Sequence, residues 1–510
     1  MSRLMRGVMT VGGWTLLSRL LGFVRDVLIA GLIGPGPLMD AFVAAFRLPN
    51  LFRRFFAEGA FNAAFVPMFS KRLEGGQDPE GFASQAMSGL ALVVLLLTGV
   101  SMIFMPALVY ATAGGFAQDA RFDMTVGFGR IVFPYILFIS LAALLSGVLN
   151  STGRFTAAAA APVLLNIMLC GAMTGAVMTG GAVIEALVWT IPFAGVAQLA
   201  LVWVAARRAG QNVRLVRPRW TPDMARLVRI AVPAALAGGV MQINLLVGQQ
   251  VASNFDNAVS WLYAADRLYQ LPLGVVGIAV GIVLLPDLSR RLKSGDGAGG
   301  REALSRAGEL SLALTIPASV ALIVVPFPLV SVLFERGAFG PDDTAATALA
   351  VGVYGLGLPA FVLQKVLQPI YFAREDTKRP FHYAVAAMVV NAAIAIGLAP
   401  VIGWIAAAIA TTLAGWVMVW LLARGTQGFG EVARFDDRFR SRLWRICLAA
   451  AIMGAALWGA LLAIGPVFGL PGWRWLALLA LISAGTVSYF IAARLLGAFH
   501  MHELRRVFRR

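Results

Sequence analysis

Two cysteines and three histidines are all that 510 residues contain. Cys170 and Cys447 fall in or beside apolar stretches far apart in sequence, so both read as small buried residues and no disulfide framework is implied. His382 sits near a helix end, where it reads as a surface or interface residue, and His500 and His502 lie in the tail. No metal-ligand spacing, glycine-rich phosphate loop with lysine, or nucleophile elbow occurs, so an integral membrane enzyme is a weak reading and no cofactor or metal is expected. Charge is sparse as well, at 13% of residues, and no hydrophilic domain interrupts the chain. With 59% hydrophobic residues and a mean hydropathy of +0.80, the composition is that of a polytopic membrane protein.

What the chain has is apolar length. Long apolar segments recur at 8–33, 38–69, 82–112, 124–149, 156–179, 183–206, 224–253, 259–289, 304–334, 343–372, 381–399, 402–423, 443–465 and 474–497. A span needs about 20 residues, so the expected fold is an all-α bundle of about 14 transmembrane helices. The start imitates a signal peptide, but its apolar part runs too far, contains Arg19 and has no small-residue cleavage site before a polar region, so it reads as the first span.

The 42 Lys and Arg outnumber the 25 Asp and Glu, giving a formal net charge of +17. The excess is not spread evenly. It clusters between alternate spans: Lys71 and Arg72; Arg154; Arg207, Arg208, Arg214, Arg217 and Arg219; Arg290, Arg291 and Lys293; Arg374, Lys378 and Arg379; Arg424, Arg434, Arg438, Arg440 and Arg442; and the tail ELRRVFRR. The intervening connections have almost none, Arg121, Arg336 and Arg474 being the exceptions. The positive-inside rule therefore puts both termini in the cytoplasm, as an even span count requires. Loops this short form no nucleic-acid domain, so no nucleic acid is expected as a partner.

The chain also repeats itself. Ala44-Ala45-Phe46-Arg47-Leu48 returns as Ala264-Ala265-Asp266-Arg267-Leu268, and Pro67-Met68-Phe69-Ser70-Lys71-Arg72-Leu73 returns as Pro286-Asp287-Leu288-Ser289-Arg290-Arg291-Leu292. A fainter pair joins Asn150, Arg154, Pro162 and Asn166 with Arg374, Pro380 and Asn391. A repeat of six spans keeps its topology, which gives two pseudo-symmetric lobes, 1–215 and 216–428, that rock about a midplane site. Residues 429–510 then supply a cytoplasmic connector, two further spans without repeat mates and a basic tail. On this reading Arg47 and Arg267 face each other across the lobe interface. Gly12, Gly13, Gly22, Pro233, Gly238, Gly239 and Pro272 are expected to break the spans that line it.

Charge inside spans marks the expected site. SRLLGFVRD and DAFVAAFRLPNLFRRFFAEGAF place Arg19, Arg25, Asp26, Asp40, Arg47, Arg53, Arg54 and Glu58 among residues that are otherwise almost all apolar. Each arginine at a helix centre costs about 2.5–3.5 kcal/mol on insertion scales, so it should face an aqueous cavity or a partner. Helical spacing stacks Arg19 near Asp26, sets Arg54 one turn before Glu58, and repeats Asp40, Arg47 and Arg54 at seven-residue steps, with Pro49 rotating the lower half. Asp266 sits beside Arg267 as an ion pair. Arg25 and Arg53 have no acidic neighbour on their own helix. Two unmatched guanidiniums suit phosphate oxygens, because the planar fork donates parallel hydrogen bonds and keeps its charge.

These residues carry a resemblance. SRLLGFVRD at 18–26, DAFVAAFRLPNLFRRFFAEGAFNAAFVP at 40–67, YAADRLYQLPLGVVGIAVGIVLLPDLS at 263–289 and KVLQPIYFAREDTKRP at 365–380 resemble the lipid II flippases of the MurJ (MviN) family, in the multidrug/oligosaccharidyl-lipid/polysaccharide exporter superfamily. The resemblance implies two six-span lobes around a cavity and two added C-terminal spans in the bacterial inner membrane. It implies movement of the undecaprenyl-pyrophosphate-linked peptidoglycan precursor, lipid II, to the outer leaflet. It also implies substrate-binding arginines at Arg19, Arg25, Arg53 and Arg267, matching acids at Asp26, Asp40 and Glu58, and contact with membrane lipids and other cell-wall synthesis proteins. Some members carry a sodium site on the seventh, eleventh and twelfth spans. Here those spans offer Asn244, Asn391, Thr411 and Thr412 with no acid in the apolar part of the seventh, so no metal is expected. The alternatives are export of another polyprenyl-linked glycan, which needs the same cationic pocket; multidrug export, which needs cavity acids; and a cell-wall scaffold, which needs no matched lobes.

Overall fold

The apolar runs fold into helix, the one regular backbone that satisfies its own N–H and C=O groups without water. The computed structural model describes residues 3–498 apart from 54–59, 295, 375 and 471; side chains at 3–9, 60, 63, 233–244, 275–287, 289, 292–293 and 432 lie outside that description. In chain order the helices are α1 Arg3–Leu32, α2 Pro37–Arg53, α3 Ala60–Gly75, α4 Pro79–Ile103, α5 Met105–Ala113, α6 Ala120–Val132, α7 Tyr135–Ser151, α8 Thr156–Thr179 and α9 Val183–Arg208. They continue as α10 Pro222–Ala252, α11 Ala258–Lys293, α12 Gly297–Val324, α13 Pro326–Phe334, α14 Pro341–Phe372, α15 Lys378–Ile402, α16 Ala406–Gly425, α17 Asp437–Ile464 and α18 Arg474–Leu495. Nine segments among the described residues are long and apolar enough to cross a membrane.

The internal repeat is legible in the element bounds. α2 and α11 begin at Pro37 and Ala258, α5 and α13 at Met105 and Pro326, and α6 and α14 at Ala120 and Pro341, each pair 221 residues apart. The expected breaks fall elsewhere than on the sequence reading. α1 runs unbroken through Gly12, Gly13 and Gly22, α10 through Pro233, Gly238 and Gly239, and α11 through Pro272. A proline forfeits one backbone bond, and a long helix held by its neighbours continues past it. Among the described residues the breaks come instead at Phe104 before Pro106, at Phe133–Pro134 and at Val325 before Pro326, splitting three expected spans into two helices each.

The chain divides into two compact units, one ending at Ser260 and one beginning at Trp261. In the first, α1 packs on α8, α2 on α6, α7 and α8 on α9, and α10 on α3 and α5. Its core holds Phe65, Phe69, Phe133 and Ile136, all fully buried, with Phe61, Phe65 and Phe69 stacked at successive turns of α3. In the second, α14 packs on α12 and α16, α15 on α16, and α17 on α12 and α18. Small residues set the last approach: a Cβ on Gly454 of α17 would meet Val320 Cγ1 of α12 at 2.8 Å, and one on Gly485 of α18 would meet Leu457 Cδ2 of α17 at 2.8 Å.

Proline leaves specific debts in these helices, because the carbonyl four residues before it loses its donor. Three are met from a neighbouring helix. Pro106 frees the Met102 carbonyl, which accepts from Arg130 Nε at 3.2 Å; Pro317 frees that of Ala313, which accepts from the Tyr489 hydroxyl at 2.7 Å; Pro359 frees that of Gly355, which accepts from Ser319 Oγ at 2.6 Å. Each cross-link joins two helices and satisfies a carbonyl that the proline leaves without its own helical donor.

Candidate functional site

In the first unit α1 sets Arg25 against α8. Arg25 donates through Nε and Nη2 to Asp26 Oδ1 at 3.0 and 2.7 Å, and through Nη1 to Asn166 Oδ1 at 2.9 Å. Asn166 in turn donates Nδ2 to the Ser18 carbonyl at 3.0 Å, so one buried amide on α8 fixes both the guanidinium and the backbone of α1. Arg25 is 13% and Asp26 7% exposed. This corrects two expectations: Asp26 is held by Arg25 and not by Arg19, and Arg25 does have an acid on its own helix. The side chain reaches back to its chain neighbour because two charges in a poorly solvated place gain more from each other than from helical registry. Arg19 is exposed. Arg47 and Arg53 are half-buried on α2, whereas Arg54 and Glu58 lie outside the described residues.

Asp40 is not placed with these groups. Its side chain is 0% exposed, and Oδ1 accepts from the Ser260 N–H at 2.9 Å and the Ser260 hydroxyl at 2.5 Å, capping the start of α11. Its Oδ2 lies 3.4 Å from Arg121 Nη1. Arg121 also takes Asp119 at 2.6 Å, Asp256 at 3.3 Å and the Phe255 carbonyl at 3.3 Å, and lies over the Phe116 ring. The Arg121 hydrogen bond holds the Asp119 carboxyl below its ordinary pKa, outweighing partial burial. Asp40 is thus the anchor of a charge cluster joining α2, α6 and the α10–α11 turn, and the seven-residue series with Arg47 and Arg54 does not describe its role. The sequence signal was Arg121 itself, a basic residue on the side where the chain has almost none, in the acid-flanked string DARFD.

In the second unit Arg267 is half-buried with its guanidinium 4.3 Å from the Tyr263 ring centroid. Asp266, expected to neutralise it, accepts instead from the amide of Gln270 one turn on. The other two orientation exceptions are also occupied. Arg474 at the start of α18 donates to Glu335 Oε1 and Ser331 Oγ at 2.8 Å each, and Arg336 to the Val332 and Leu333 carbonyls at the end of α13. Glu335 is raised by burial, but hydrogen bonds from Arg474, Ser331 and Thr344 outweigh this and hold its carboxyl below the ordinary range. On α12, Arg306 pairs with Glu309 and Asp436, and Arg442 with Glu309 at 3.2 Å, tying α12 to the start of α17. The same unit holds an apolar cavity of about 220 Å³ lined by Ala313, Pro317 and Ala321 of α12, Leu457 of α17, and Leu481 and Phe490 of α18. Neither the clamps nor the cavity was assigned from sequence. No cluster of His, Cys, Asp and Glu able to hold a metal ion occurs among the described residues.

The described residues thus set half-buried arginines on otherwise apolar helices and, separately, a small apolar cavity on α12, α17 and α18. The profile of the family described as "Lipid II flippase MurJ" matches residues 29–481. The chain belongs to the lipid II flippase MurJ family. Among MurJ relatives, the probable lipid II flippase MurJ of Rhizobium tropici is 44% identical over 520 residues, covering 99% of this chain and 97% of that one. The probable lipid II flippase MurJ of Rhizobium meliloti (strain 1021) is 45% identical, covering 98% and 95%. A solved structure titled lipid II flippase MurJ, inward closed conformation, superposes with a TM-score of 0.80 at 26% identity, covering 96% of this chain and 98% of that chain. An inward-facing multidrug resistance MATE family transporter of the MOP superfamily gives 0.70 at 14% identity over 83% and 98%, a likeness of fold alone. The MurJ family is one of bacterial multi-pass membrane transporters, and its members are not enzymes.

Proposed function

We propose that this chain carries lipid II from the inner to the outer leaflet of the bacterial inner membrane by alternating access, with both termini cytoplasmic. The observation that carries the reading is Arg25: a guanidinium 13% exposed, aimed by Asn166, on a helix of a flippase-family chain. Asp26 takes two of its donors on one oxygen and Asn166 a third, which fixes the plane of the fork. The pyrophosphate is held by Arg25, Arg53 and Arg267, with Arg19 at the entrance and Arg47 matching Arg267 in the repeat. The polyprenyl tail lies in the cavity between α12, α17 and α18, whose lining is apolar apart from Thr486 and Tyr489. That division suits the two unrepeated spans, which have no charge in their apolar parts and cannot serve the head.

No bond is made or broken, so the driving energy comes from outside the chain. Moving one charge through 100 mV is worth about 2.3 kcal/mol, and an inside-negative potential both expels a bound dianion and draws back a cationic empty site. The test is reconstitution: the purified full chain in proteoliposomes should move a labelled lipid II to the opposite leaflet, and faster with an imposed potential. Absence of translocation, with binding of lipid II intact, would leave a scaffold as the better reading.

A further inference from the structure

The connector between α9 and α10 has no helix, yet it is tied down along its length. The backbone N–H groups of Asn212, Arg214 and Val216 donate to Glu80 Oε1, Ser84 Oγ and Ser88 Oγ of α4 at 3.0, 3.1 and 2.8 Å, and that of Arg219 to Gln85 Oε1 at 3.0 Å. The registers agree. Four helical residues rise about 6 Å and two extended residues about 6.6–6.8 Å, so every second N–H of the strap meets every fourth residue of the helix. Val213, between the first two rungs, is buried in the core of the first unit.

The outward side is basic and amphipathic. Arg214, Arg217 and Arg219 are exposed, as are Arg207 and Arg208 where α9 ends, while Leu215 and Trp220 stand 65% and 75% exposed among them. Glu80, the acid that touches the strap, is taken by the Asn212 N–H, and Asp223, which follows it, by Arg72 at 2.6 Å. Among the described residues, none of Arg208, Arg214, Arg217 and Arg219 has a carboxylate partner.

We propose that this strap is a built site for anionic phospholipid headgroups, its arginines holding the phosphates while Leu215 and Trp220 enter the boundary of the bilayer. Clusters of four to eight basic residues beside a membrane helix attract anionic lipid, and tryptophan favours the same depth. The ladder to α4 adds pre-organisation, since the arginines are spaced before any lipid arrives and little ordering remains to oppose binding. Two exposed apolar side chains between the charges fit a lipid boundary better than a soluble polyanion. The site rests on neither the substrate reading nor the orientation, because binding can be measured in detergent.

The delipidated full chain in neutral detergent should be titrated with palmitoyl-oleoyl phosphatidylglycerol or the matching phosphatidylcholine, counting bound lipid by native mass spectrometry. Phosphatidylglycerol should bind preferentially. Each arginine contributes about a fivefold preference, so R214Q/R217Q/R219Q should weaken it on the order of a hundredfold, whereas the triple lysine variant should stay near wild type. S84A/S88A keeps every charge and releases two rungs; with its melting temperature checked, it should weaken binding by roughly tenfold through lost pre-organisation. Unchanged phosphatidylglycerol affinity in the triple glutamine variant, equal affinity for the two lipids, or a polyglutamate peptide bound as tightly as phosphatidylglycerol would overturn the proposal. Wild-type affinity in a folded S84A/S88A chain would overturn the built site.

Discussion

A buried arginine in a membrane protein serves either its neighbours or a ligand, and Arg25 shows how to separate the two. Arg25→Ala removes the head contact, but it also strands Asp26 in a poorly solvated place, which costs about 3–5 kcal/mol when a buried pair is broken. R25A/D26N restores stability by removing the stranded charge. The expected outcome is that R25A lowers both melting temperature and complementation of a flippase-depleted strain, while R25A/D26N melts near wild type and still fails to complement. Growth with the double variant would remove Arg25 from the site. Glu335 gives the corresponding test of pH. Its folded pKa lies below its unfolded value, so the stability it contributes is fully present above the unfolded value and is lost as pH falls through the folded one. Melting temperature in detergent should therefore drop as pH is lowered through the acid range, and Glu335→Gln should flatten that part of the profile. An identical acid profile in the variant would deny the Arg474 clamp any share in stability. The sequence disclosed which charges were unusual and misassigned their partners, because spacing on one helix says nothing of Asn166 on α8 or Ser260 at the head of α11.

Long apolar runs fix helix bounds well, and most expected spans end within a few residues of the observed helices. The breaks were illegible for a physical reason. Whether a glycine or proline interrupts a helix depends on how other helices pack against it, which the order of residues does not show. At Pro317 α12 passes through unbroken, and Tyr489 of α18 supplies a donor to the freed Ala313 carbonyl. Removing the hydroxyl should cost about 0.6–1.7 kcal/mol, the range measured for hydrogen bonds between membrane helices. Restoring the backbone donor should make the hydroxyl redundant. Tyr489→Phe is thus expected to lower the melting temperature in the wild-type background and to have little effect in Pro317→Ala, where the residue-317 N–H serves Ala313 again. Additive losses in the double variant would show that the hydroxyl does not act through that carbonyl. The same cycle applies to Ser319 and Pro359, where Gly355 is the acceptor.

Taken whole, the chain carries one length of information twice, and offsets of 221 residues between paired helices show that the repeat reaches the architecture as well as two short motifs. Orientation is the property of the whole molecule that the repeat leaves open, since a copy that keeps its topology fits either way up. Basic loops argue for cytoplasmic termini, the more so where the exceptions are paired with carboxylates. Arg121 is shared among Asp40, Asp119 and Asp256, Arg474 is paired with Glu335, and Arg336 spends its donors on the end of α13. Arg208, Arg214, Arg217 and Arg219, in contrast, have no carboxylate partner among the described residues. An arginine paired with a carboxylate pulls little on the surface potential that retains cations in the cytoplasm, so Arg121 and Arg474 leave the bias intact, and Arg336 is one charge against the basic loops. In a background without Cys170 and Cys447, single cysteines at Gly36, Asp342 and Gly469 should react with an impermeant thiol reagent added to whole cells. Cysteines at Gln77, Asn212 and Gly428 should react only after the membrane is opened. Gly76 and Gly210 are avoided because their φ of 62° and 79° would strain any side chain. Labelling of the second set in intact cells, with the first set protected, would invert the molecule and place the strap on the outer leaflet.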